Sequence, residues 1–492
     1  MFKVSIRDFS FRYRKDQRPI ISNINLDFSS DERILILGPS GGGKSTLLLA
    51  LLRLYTAYDI YFADGDVYFN GKPAEEMTRN EIIKIFGVVF QTPSHQFCLQ
   101  YPEEEAAFGL ENLQVEPSKM QGLIDKSFER FGFSKREQSI QTLSGGEQQV
   151  LAAASTTLLE SRMLVMDEPT AHLDPTGRKE FRKALRSWLS PEKGFLLVEH
   201  HVKLFLDLFE RVIVLVIKVR IIFDEQGIDV LTRERNLLTK MGVWLPEQEG
   251  RSCGSGGFVN IQNECQAEKK PALEFKNSFI GYQRKQIIKN LDLKIERGEF
   301  TALVGRNGCG KSTILQSLIG LSDLQTGSIS IDGKLYRTPG KKLKLKDAPA
   351  YLFQNPEHQF VYPTVQEEVQ DSVLLKRYGL YDKRHQNPFT LSGGEKRRLS
   401  LISLLTKERE LYLLDEPTFG QDSKTAGELV QTIKELQENE KTVVVVSHDL
   451  ALFEDLVQRI IVLNAGAVVF DGTPSELSVH SSEELNEWGV EL

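Results

Sequence analysis

The sequence has no excess of positive charge and very little cysteine. Its 61 lysines and arginines are outnumbered by 68 aspartates and glutamates, giving a formal net charge of −7, so we expect no nucleic-acid partner. The four cysteines show no C-x-x-C spacing, which argues against a zinc site or a disulfide framework and indicates a reducing compartment. The first residues lack the apolar core of a signal peptide, so we expect a cytoplasmic protein.

Long hydrophobic runs are absent as well. The longest, residues 211–223, is interrupted by Lys218 and Arg220 and is shorter than the roughly 20 residues that a membrane-spanning helix needs. We therefore predict strand in this segment, although it contains no turn residue. The matching segment near the end of the chain does contain one, and residues 464–466 predict a hairpin turn there.

What the sequence does contain is a duplication. At 492 residues it is too long for one hydrophobic core, because single cores stop growing at about 250 to 300 residues. Four motifs occur twice in the same order, and Asp167 and Asp415 are separated by the same distance along the chain as His200 and His448. The repeated motifs are G-x-x-x-x-G-K-S-T at 38–46 and 305–313, F-Q-x-P-x-H-Q-F at 90–97 and 353–360, L-S-G-G-E at 143–147 and 391–395, and D-E-P-T at 167–170 and 415–418.

We predict two α/β domains joined by a flexible linker. Residues 246–271 are rich in glycine, serine and charge and lack periodicity, which is typical of a linker. We place the first domain at residues 1–245 and the second at residues 272–492, and call them the first copy and the second copy. Short apolar runs between helix-length amphipathic segments predict buried parallel strands, among them residues 33–38, 163–167 and 195–200.

The first repeated motif is typical of a phosphate-binding P-loop, since it follows an apolar strand and precedes an apolar helix. Its glycines let backbone N–H groups surround phosphates, and the helix N-terminus adds a favourable dipole. Lys44 and Lys311 would contact the β and γ phosphates, while Ser45 and Ser312 offer hydroxyls to Mg²⁺. An accidental glycine turn is the alternative, which two copies in register make negligible. The predicted loop residues are Gly38, Pro39, Ser40, Gly41, Gly42, Gly43, Lys44, Ser45 and Thr46, and Gly305, Arg306, Asn307, Gly308, Cys309, Gly310, Lys311, Ser312 and Thr313.

Two acid pairs complete the candidate chemistry. Asp167 and Asp415 end apolar strands, where a carboxylate can hold Mg²⁺ directly or through water. The next residues, Glu168 and Glu416, can accept the proton of the attacking water. An isolated acid pair is often a solvated turn, but the upstream P-loop favours catalysis.

Two further repeated positions are candidate donors to the γ-phosphate. His200 and His448 each close a later apolar strand; a lone histidine there would more often be structural, but the matched positions favour a catalytic role. The L-S-G-G motif opens a helix in both copies and can bind an anion there, although S-x-x-E is also an ordinary capping box. The anion-binding residues predicted from this motif are Ser144, Gly145, Gly146, Ser392, Gly393 and Gly394.

Together these motifs resemble the ATP-binding cassette (ABC) ATPases, and the resemblance covers nearly the whole chain, twice. It implies two tandem P-loop NTPase cassettes that bind ATP and Mg²⁺, each with a RecA-like α/β core, an antiparallel β subdomain and a helical subdomain. In that family two cassettes pack head to tail, so the P-loop of one faces the L-S-G-G of the other. The resemblance also implies that Gln91 and Gln354 are the Q-loop glutamines, which contact Mg²⁺ or the attacking water. It places Asp174 and Asp422 in the D-loop. Tyr13 and Tyr282 match the aromatic residue that stacks on adenine, with a plain strand residue as the alternative.

The segment after each of these glutamines looks like that of the ATPases of energy-coupling factor (ECF) uptake transporters. There it lines a groove for helices of a transmembrane (T) subunit, which works with a substrate-binding (S) subunit. The resemblance implies an ATPase at the cytoplasmic face of the cell membrane that energises import of a vitamin or its precursor, such as thiamine or hydroxymethylpyrimidine, or of a metal ion. Acids in the segment could meet arginines of the T subunit or simply favour the helix dipole; they are Glu103, Glu104, Glu105, Glu367 and Glu368.

The alternative function is that of a soluble twin-cassette ATPase, such as a ribosome-associated translation factor. Those proteins carry a long basic arm between the cassettes, whereas residues 246–271 are few and contain little lysine or arginine. A chromosome-maintenance ATPase would need inserted coiled coils, and the sequence has no heptad run. Because both acid pairs, both histidines and both S-G-G sequences are intact, we also expect two hydrolytic sites.

Overall fold

The structure, a computed structural model, divides the chain into two compact units. One comprises residues 1–247 with 422–424, and the other comprises residues 248–421 with 425–492. The predicted linker lies outside the described residues except for Pro271, which begins a strand. The described residues are 2–12, 19–39, 42–53, 62–171, 173–199, 202–216, 220–245, 271–283, 285–341 and 348–490.

The first copy alternates strands and helices along most of its length. Its strands are β1 (Lys3–Arg12), β2 (Ile21–Ser29), β3 (Arg33–Leu37), β4 (Phe62–Phe69), β5 (Lys72–Pro73), β6 (Phe86–Val89), β7 (Met163–Asp167), β8 (Gly194–Val198), β9 (Arg211–Val216) and β10 (Arg220–Gln226). Its helices are α1 (Lys44–Leu51), α2 (Arg79–Ile85), α3 (Pro102–Asn112), α4 (Pro117–Arg130), α5 (Gly145–Thr157), α6 (Pro175–Trp188), α7 (Asp229–Arg233) and α8 (Arg235–Lys240).

The second copy follows the same order of elements, except that its described residues contain no counterpart of α2. Its strands are β11 (Pro271–Tyr282), β12 (Lys285–Glu296), β13 (Phe300–Val304), β14 (Asp323–Ile331), β15 (Lys334–Arg337), β16 (Ala350–Leu352), β17 (Leu411–Asp415), β18 (Thr442–Val446), β19 (Arg459–Asn464) and β20 (Ala467–Gly472). Its helices are α9 (Lys311–Ile319), α10 (Val365–Val369), α11 (Ser372–Arg377), α12 (Gly393–Leu405), α13 (Ser423–Glu438), α14 (Pro474–Leu477) and α15 (Ser482–Trp488).

A six-stranded, mostly parallel sheet forms the centre of each copy. The strand orders are β10-β9-β3-β8-β7-β6 and β16-β17-β18-β13-β19-β20, and only the hairpin strand at one edge of each sheet, β10 or β20, pairs antiparallel. Every residue of β7, β8, β17 and β18 is buried. Strands covered on both faces read as unbroken apolar runs, which is how the sequence revealed them. The predicted α/β class and its buried parallel strands are confirmed.

Each copy also has a four-stranded antiparallel sheet, ordered β2-β1-β4-β5 and β12-β11-β14-β15. Along β2 the buried residues Ile24, Leu26 and Phe28 alternate with exposed Asn25 and Asp27. This alternation is typical of a sheet with one face on a core and the other in solvent. The predicted antiparallel subdomain is therefore present in both copies.

The helices that precede and include the L-S-G-G helix pack together in each copy. In the second copy Val365, Val369, Leu375 and Leu399 belong to a hydrophobic cluster made by α10, α11 and α12 and separate from that of the sheet. In the first copy α3, α4 and α5 contact one another. These clusters form the predicted helical subdomain.

The segment without a turn residue forms a hairpin like its counterpart. In the first copy β9 and β10 pair antiparallel, with Val216 opposite Arg220, and the residues between them lie outside the described residues. In the second copy the turn predicted at 464–466 is confirmed: Ala465 and Gly466 have φ values of 47° and 83°. Two successive positive φ values are typical of a type I′ turn, whose twist matches that of a hairpin.

One arginine in each copy ties this hairpin to the antiparallel sheet. Arg211 donates from two nitrogens to Asp224 at 2.6 and 2.7 Å, and from the third to the carbonyl oxygen of Asp27 at 2.9 Å. Arg459 makes the same contacts with Asp471 and with the backbone of β12. The planar guanidinium suits this role because it can bind a carboxylate with two parallel hydrogen bonds.

Among the residues that the structure describes, no helix combines the length and apolar character needed to cross a membrane.

Candidate nucleotide-binding sites

In the second copy the P-loop connects the end of β13 to the start of α9. Gly305 and Gly310 have φ values of 140° and 111°, in the region that favours glycine. A Cβ at Gly305 would lie 2.1 Å from the carbonyl oxygen of Leu463, and a Cβ at Gly310 would lie 2.4 Å from Cδ1 of Ile288. Glycine is therefore required at both positions by backbone conformation and by close packing.

Both P-loop lysines are buried and donate to carbonyl oxygens of their own loops. Nζ of Lys311 lies 2.7 Å from the oxygen of Gly305 and 3.1 Å from that of Arg306. Nζ of Lys44 lies 2.9 and 3.0 Å from the matching oxygens of the first copy. The two loops thus fix their ammonium groups in the same way.

The P-loop residues present fit a polyphosphate. Burial lowers the pKa of Lys44, while the charges of Glu168 and Asp167 act in the opposite direction. A buried ammonium group beside the N–H groups of a helix start is the donor set that phosphate groups require. Two predicted residues of this loop, Ser40 and Gly41, lie outside the described residues.

The structure brings Asp415 next to Ser312. The serine Oγ donates to Oδ1 of Asp415 at 3.0 Å, and the hydroxyl of Tyr351 donates to Oδ2 at 2.9 Å. Burial raises the pKa of Asp415, whereas these two donors and the charge of Lys311 act to lower it. A carboxylate beside a hydroxyl supplies the oxygen ligands that Mg²⁺ prefers, so the site fits this ion.

Both candidate catalytic glutamates have an unusual backbone conformation. Glu168 and Glu416 have φ values of 46° and 49°, which are uncommon for a residue other than glycine. Their N–H groups donate to the oxygens of Val198 and Val446 at 2.8 and 2.9 Å, so each residue is fixed to the end of the neighbouring strand. Such strain is found at functional sites, where the surrounding structure maintains it.

The Q-loop glutamines make different contacts in the two copies. Nε2 of Gln91 donates to Oε2 of Glu168 at 2.6 Å, so the structure brings these two predicted residues together. Gln354 is exposed, and its backbone oxygen accepts a hydrogen bond from Arg397 at 2.6 Å. The predicted contact of either glutamine with Mg²⁺ or water stays a prediction.

His448 lies beside Glu416, the candidate catalytic glutamate of its own copy. Its Nε2 is 3.3 Å from Oε1 of Glu416 and 2.9 Å from Oδ1 of Asn307, a P-loop residue. The imidazole therefore stands between the acid pair and the phosphate-binding loop. The corresponding His200 lies outside the described residues.

In each copy the L-S-G-G motif forms a capping box at the start of a helix, which was the alternative to anion binding. Ser144 and Glu147 exchange hydrogen bonds at the start of α5, and Ser392 and Glu395 do so at the start of α12. At Gly393 an added Cβ would meet no described atom within 4 Å, so packing among the described residues does not explain this glycine. The predicted anion-binding role stays a prediction.

The remaining predicted residues are only partly covered by the structure. The hydroxyl of Tyr282 donates to Oε1 of Gln316 at 2.6 Å, and its ring is partly exposed. Tyr13 lies outside the described residues. Asp174 accepts a hydrogen bond from the N–H of Gly177 at 2.7 Å and caps α6, and its counterpart Asp422 precedes α13.

A buried arginine of the second copy was not predicted from the sequence. Arg397 on α12 donates to the backbone oxygens of Phe353, Gln354 and Glu416 at 2.7, 2.6 and 3.1 Å. Burial lowers its pKa to about 10, so the group still carries its charge at neutral pH. At the matching position Gln149 donates to a single Q-loop carbonyl at 3.2 Å. An arginine in place of glutamine was the one sequence signal of this difference.

The chain matches the protein-family model described as ABC transporter over residues 21–171 and 288–419. These segments make up more than half of the chain and include both P-loops and both acid pairs. The chain therefore belongs to the ABC transporter family and is an ABC ATPase with two cassettes.

Relatives over nearly the full length include YkoD of Bacillus subtilis, whose name provisionally assigns it as an HMP/thiamine import ATP-binding protein. It is 34% identical, and the alignment covers 96% of this chain and 92% of YkoD. An ABC transporter ATP-binding protein of Methanosarcina mazei, also provisionally named, is 31% identical, with 99% and 91% covered. The predicted resemblance to ABC ATPases is confirmed.

Solved structures with the same fold include an RNase-L inhibitor at 21% identity and a TM-score of 0.59, covering 95% of this chain and 90% of that one. An archaeal ribosome recycling factor, solved with the archaeal ribosomal stalk protein, has 21% identity and a TM-score of 0.57, with 92% and 87% covered. At this identity the likeness concerns the fold alone.

Proposed function

We propose that this chain is the ATP-hydrolysing subunit of an ECF-type importer and lies at the cytoplasmic face of the cell membrane. Its partners are a transmembrane T subunit and a substrate-binding S subunit. The solute is a vitamin or vitamin precursor, such as thiamine or hydroxymethylpyrimidine, or a metal ion. The name of the relative YkoD supports the thiamine-precursor class.

The second copy illustrates the proposed hydrolysis. Lys311 and the start of α9 bind the phosphates of ATP, and Ser312 and Asp415 hold Mg²⁺, which neutralises phosphate charge when bound. Glu416 accepts the proton of the attacking water, and His448 donates to the γ-phosphate. We propose equivalent roles for the matching residues of the first copy. We also propose that the Ser-Gly-Gly of each copy binds ATP.

Exposed apolar side chains after the Q-loop carry the proposal of a protein partner. Leu99 of the first copy is 39% exposed, and Tyr362, which stands at the matching position, is 47% exposed. Beside it Val361 is 82% exposed. Apolar groups that cluster on a surface mark interaction sites, whereas scattered ones need no explanation. The repetition of this feature in both copies argues for two equivalent docking loops.

Each of these loops is held by a carboxylate of the following helix. Oε2 of Glu105 accepts hydrogen bonds from the N–H groups of Cys98 and Leu99 at 2.9 and 2.8 Å. Oε2 of Glu368 accepts from Val361 and from the next residue at 3.1 and 2.8 Å. These two acids therefore stabilise the loops of their own copies. The loops so held expose their apolar side chains.

The other acids of the segment differ in their contacts. Glu103 pairs with Arg136 of the same copy, with its Oε1 3.1 Å from Nη1, so it already has a cationic partner. Glu104 and Glu367 are exposed. We therefore propose these two exposed acids as the ones that meet arginines of the T subunit.

A soluble ATPase that acts on ribosomes is the competing function. Some solved structures of the same fold are ribosome-associated proteins, but at 20–21% identity they support the fold and not the function. The exposed loops described above are the observation that favours a membrane partner.

The experiment is copurification of the tagged chain from membranes in detergent. We expect two integral membrane proteins to copurify with the parent chain, and Tyr362→Glu to reduce their recovery severely because a charge would replace an apolar contact. Val479→Glu is the matched control, since Val479 is an apolar residue, 84% exposed, that lies two residues after the end of α14. Recovery of ribosomal components in place of membrane proteins would contradict the proposal.

A further inference from the structure

A chain of polar side chains crosses the second nucleotide site. The hydroxyl of Tyr282 donates to Oε1 of Gln316 at 2.6 Å. Tyr351, which interacts with the Gln316 side chain, donates from its hydroxyl to Oδ2 of Asp415 at 2.9 Å. Ser312 donates to the other carboxylate oxygen at 3.0 Å. The proposed adenine side of the site is thereby connected to the proposed Mg²⁺ side.

The carboxylate of Asp415 is held at both of its oxygens. Tyr351 is 6% exposed and Asp415 is 2% exposed, so their hydrogen bond is shielded from water. Leaving either buried polar group without a partner would be costly. Hydrogen bonds of this kind orient a metal-binding carboxylate before the ion arrives.

The first copy cannot build this chain. Five residues after Lys44 it has Leu49 where the second copy has Gln316, and three residues before Gln91 it has Val88 where the second copy has Tyr351. Leucine and valine have no hydrogen-bonding groups in their side chains. The first copy therefore has no polar side chain at the two positions that form this chain in the second copy, although its repeated motifs are all intact.

We propose that Tyr351 and Gln316 are positioning residues that orient Asp415 for a divalent cation and couple it to Tyr282, and that only the second site has this device. This inference rests on the proposed function of the site as an Mg²⁺-ATP site. It adds that the second site depends on two residues, Tyr351 and Gln316, whose positions in the first copy are taken by valine and leucine.

The test measures Mn²⁺ binding by electron paramagnetic resonance in the full chain with a non-hydrolysable ATP analogue. Asp167→Asn is introduced first, so that the second site supplies the remaining signal. In that background we expect Tyr351→Phe to weaken Mn²⁺ binding by about tenfold. This is the lower end of the range for substitutions of residues that hydrogen bond to a metal ligand. Gln316→Leu, which introduces the residue of the first copy, should weaken it by a smaller factor.

Tyr378→Phe is the matched control for loss of a buried tyrosine hydroxyl. Tyr378 belongs to the same copy, and its hydroxyl lies 2.6 Å from Oγ1 of Thr432 on α13, outside the nucleotide site. We expect this variant to bind Mn²⁺ like its parent. An equal loss in Tyr351→Phe and Tyr378→Phe would mean that the effect is one of general stability and would overturn the positioning role.

The reciprocal background tests the restriction to one site. In the presence of Asp415→Asn, Tyr351→Phe should leave Mn²⁺ binding at the first site unchanged. Tyr282→Phe keeps the ring and removes only the hydroxyl. If Tyr282 and Tyr351 are coupled, the double variant should lose less Mn²⁺-binding free energy than the two single variants lose together. Additive effects would overturn the link to Tyr282, and unchanged affinity in Tyr351→Phe would overturn the whole inference.

A failure of the underlying site would look different. If the Asp167→Asn parent binds no Mn²⁺ with the nucleotide, the proposed Mg²⁺-ATP site itself is wrong. Normal binding in that parent with no change in Tyr351→Phe contradicts the positioning role and leaves the site intact.

Discussion

At the scale of single residues, the two copies differ in the buried side chain that hydrogen bonds to the Q-loop backbone. Arg397 donates to three carbonyl oxygens, two of the Q-loop and one of Glu416, the proposed general base. Gln149 binds one, and its own amide oxygen has no hydrogen-bond partner among the described residues. A buried cation that serves three carbonyls should stabilise the loop more than a neutral amide that serves one.

We predict that Arg397→Gln lowers the free energy of unfolding by about 1 to 3 kcal/mol, because glutamine can replace only part of the lost donors. ATP hydrolysis should fall as well, since the backbone of Gln354 and Glu416 loses its support. Urea denaturation and steady-state ATPase assays measure the two effects. Gln149→Met is the control and should cost less, because it removes one long hydrogen bond. Equal costs for the two variants would contradict this account.

At the scale of elements, each proposed docking loop is held by the helix that follows it. Glu368 lies on α10 and accepts from two successive N–H groups of the loop, as Glu105 on α3 does in the first copy. Carboxylates in the first turn of a helix also complement its dipole, so the same residue serves both elements. The loop can then display apolar side chains without a regular structure of its own.

We predict that Glu368→Ala accelerates hydrogen exchange at the amides of Val361 and Tyr362 by about tenfold or more. The reason is that a hydrogen bond to a charged group contributes about 1.5 to 3 kcal/mol. Native-state hydrogen exchange followed by mass spectrometry measures it. Glu367→Ala, which removes the exposed neighbouring acid, is the control and should leave the exchange unchanged. Similar acceleration in both variants would show that the loop is not held by Glu368 in particular.

At the scale of the whole molecule, both copies keep all the residues that we propose for catalysis. Each has its P-loop lysine and its acid pair, and the glutamate of each pair has the same strained backbone conformation. Two hydrolytic sites are therefore expected, even though the second has Tyr351 and Gln316 where the first has valine and leucine. The difference between the sites should concern cation binding and not the presence of hydrolysis.

We predict that Glu168→Gln and Glu416→Gln each lower hydrolysis at their own site by about 100-fold or more, since each removes a general base and leaves the phosphate and Mg²⁺ ligands in place. ATP should remain trapped at that site, and transport should fall severely in either variant because a site that cannot hydrolyse cannot reopen. Retention of labelled ATP and uptake by the reconstituted complex measure these effects. Near-normal uptake in one variant with complete loss in the other would show that one site only binds nucleotide.

The sequence by itself determined the duplication, the α/β class and the candidate residues of both nucleotide sites. These follow from local patterns: buried strands such as β7 and β17 read as apolar runs, and a P-loop needs glycines next to a strand and a helix. Even the hairpin turn of the second copy could be predicted, because Gly466 stands where the turn requires a positive φ.

Only the tertiary structure decided which of these residues meet which buried partners. Tyr351 reads as one more apolar strand residue, yet its hydroxyl binds an aspartate that lies 64 residues further along the chain. Arg397 reads as part of a basic helix, yet it is buried under the Q-loop backbone. The physical reason is that period and composition encode which face of an element is buried, whereas a hydrogen bond between distant elements depends on the way the strands and helices pack in three dimensions.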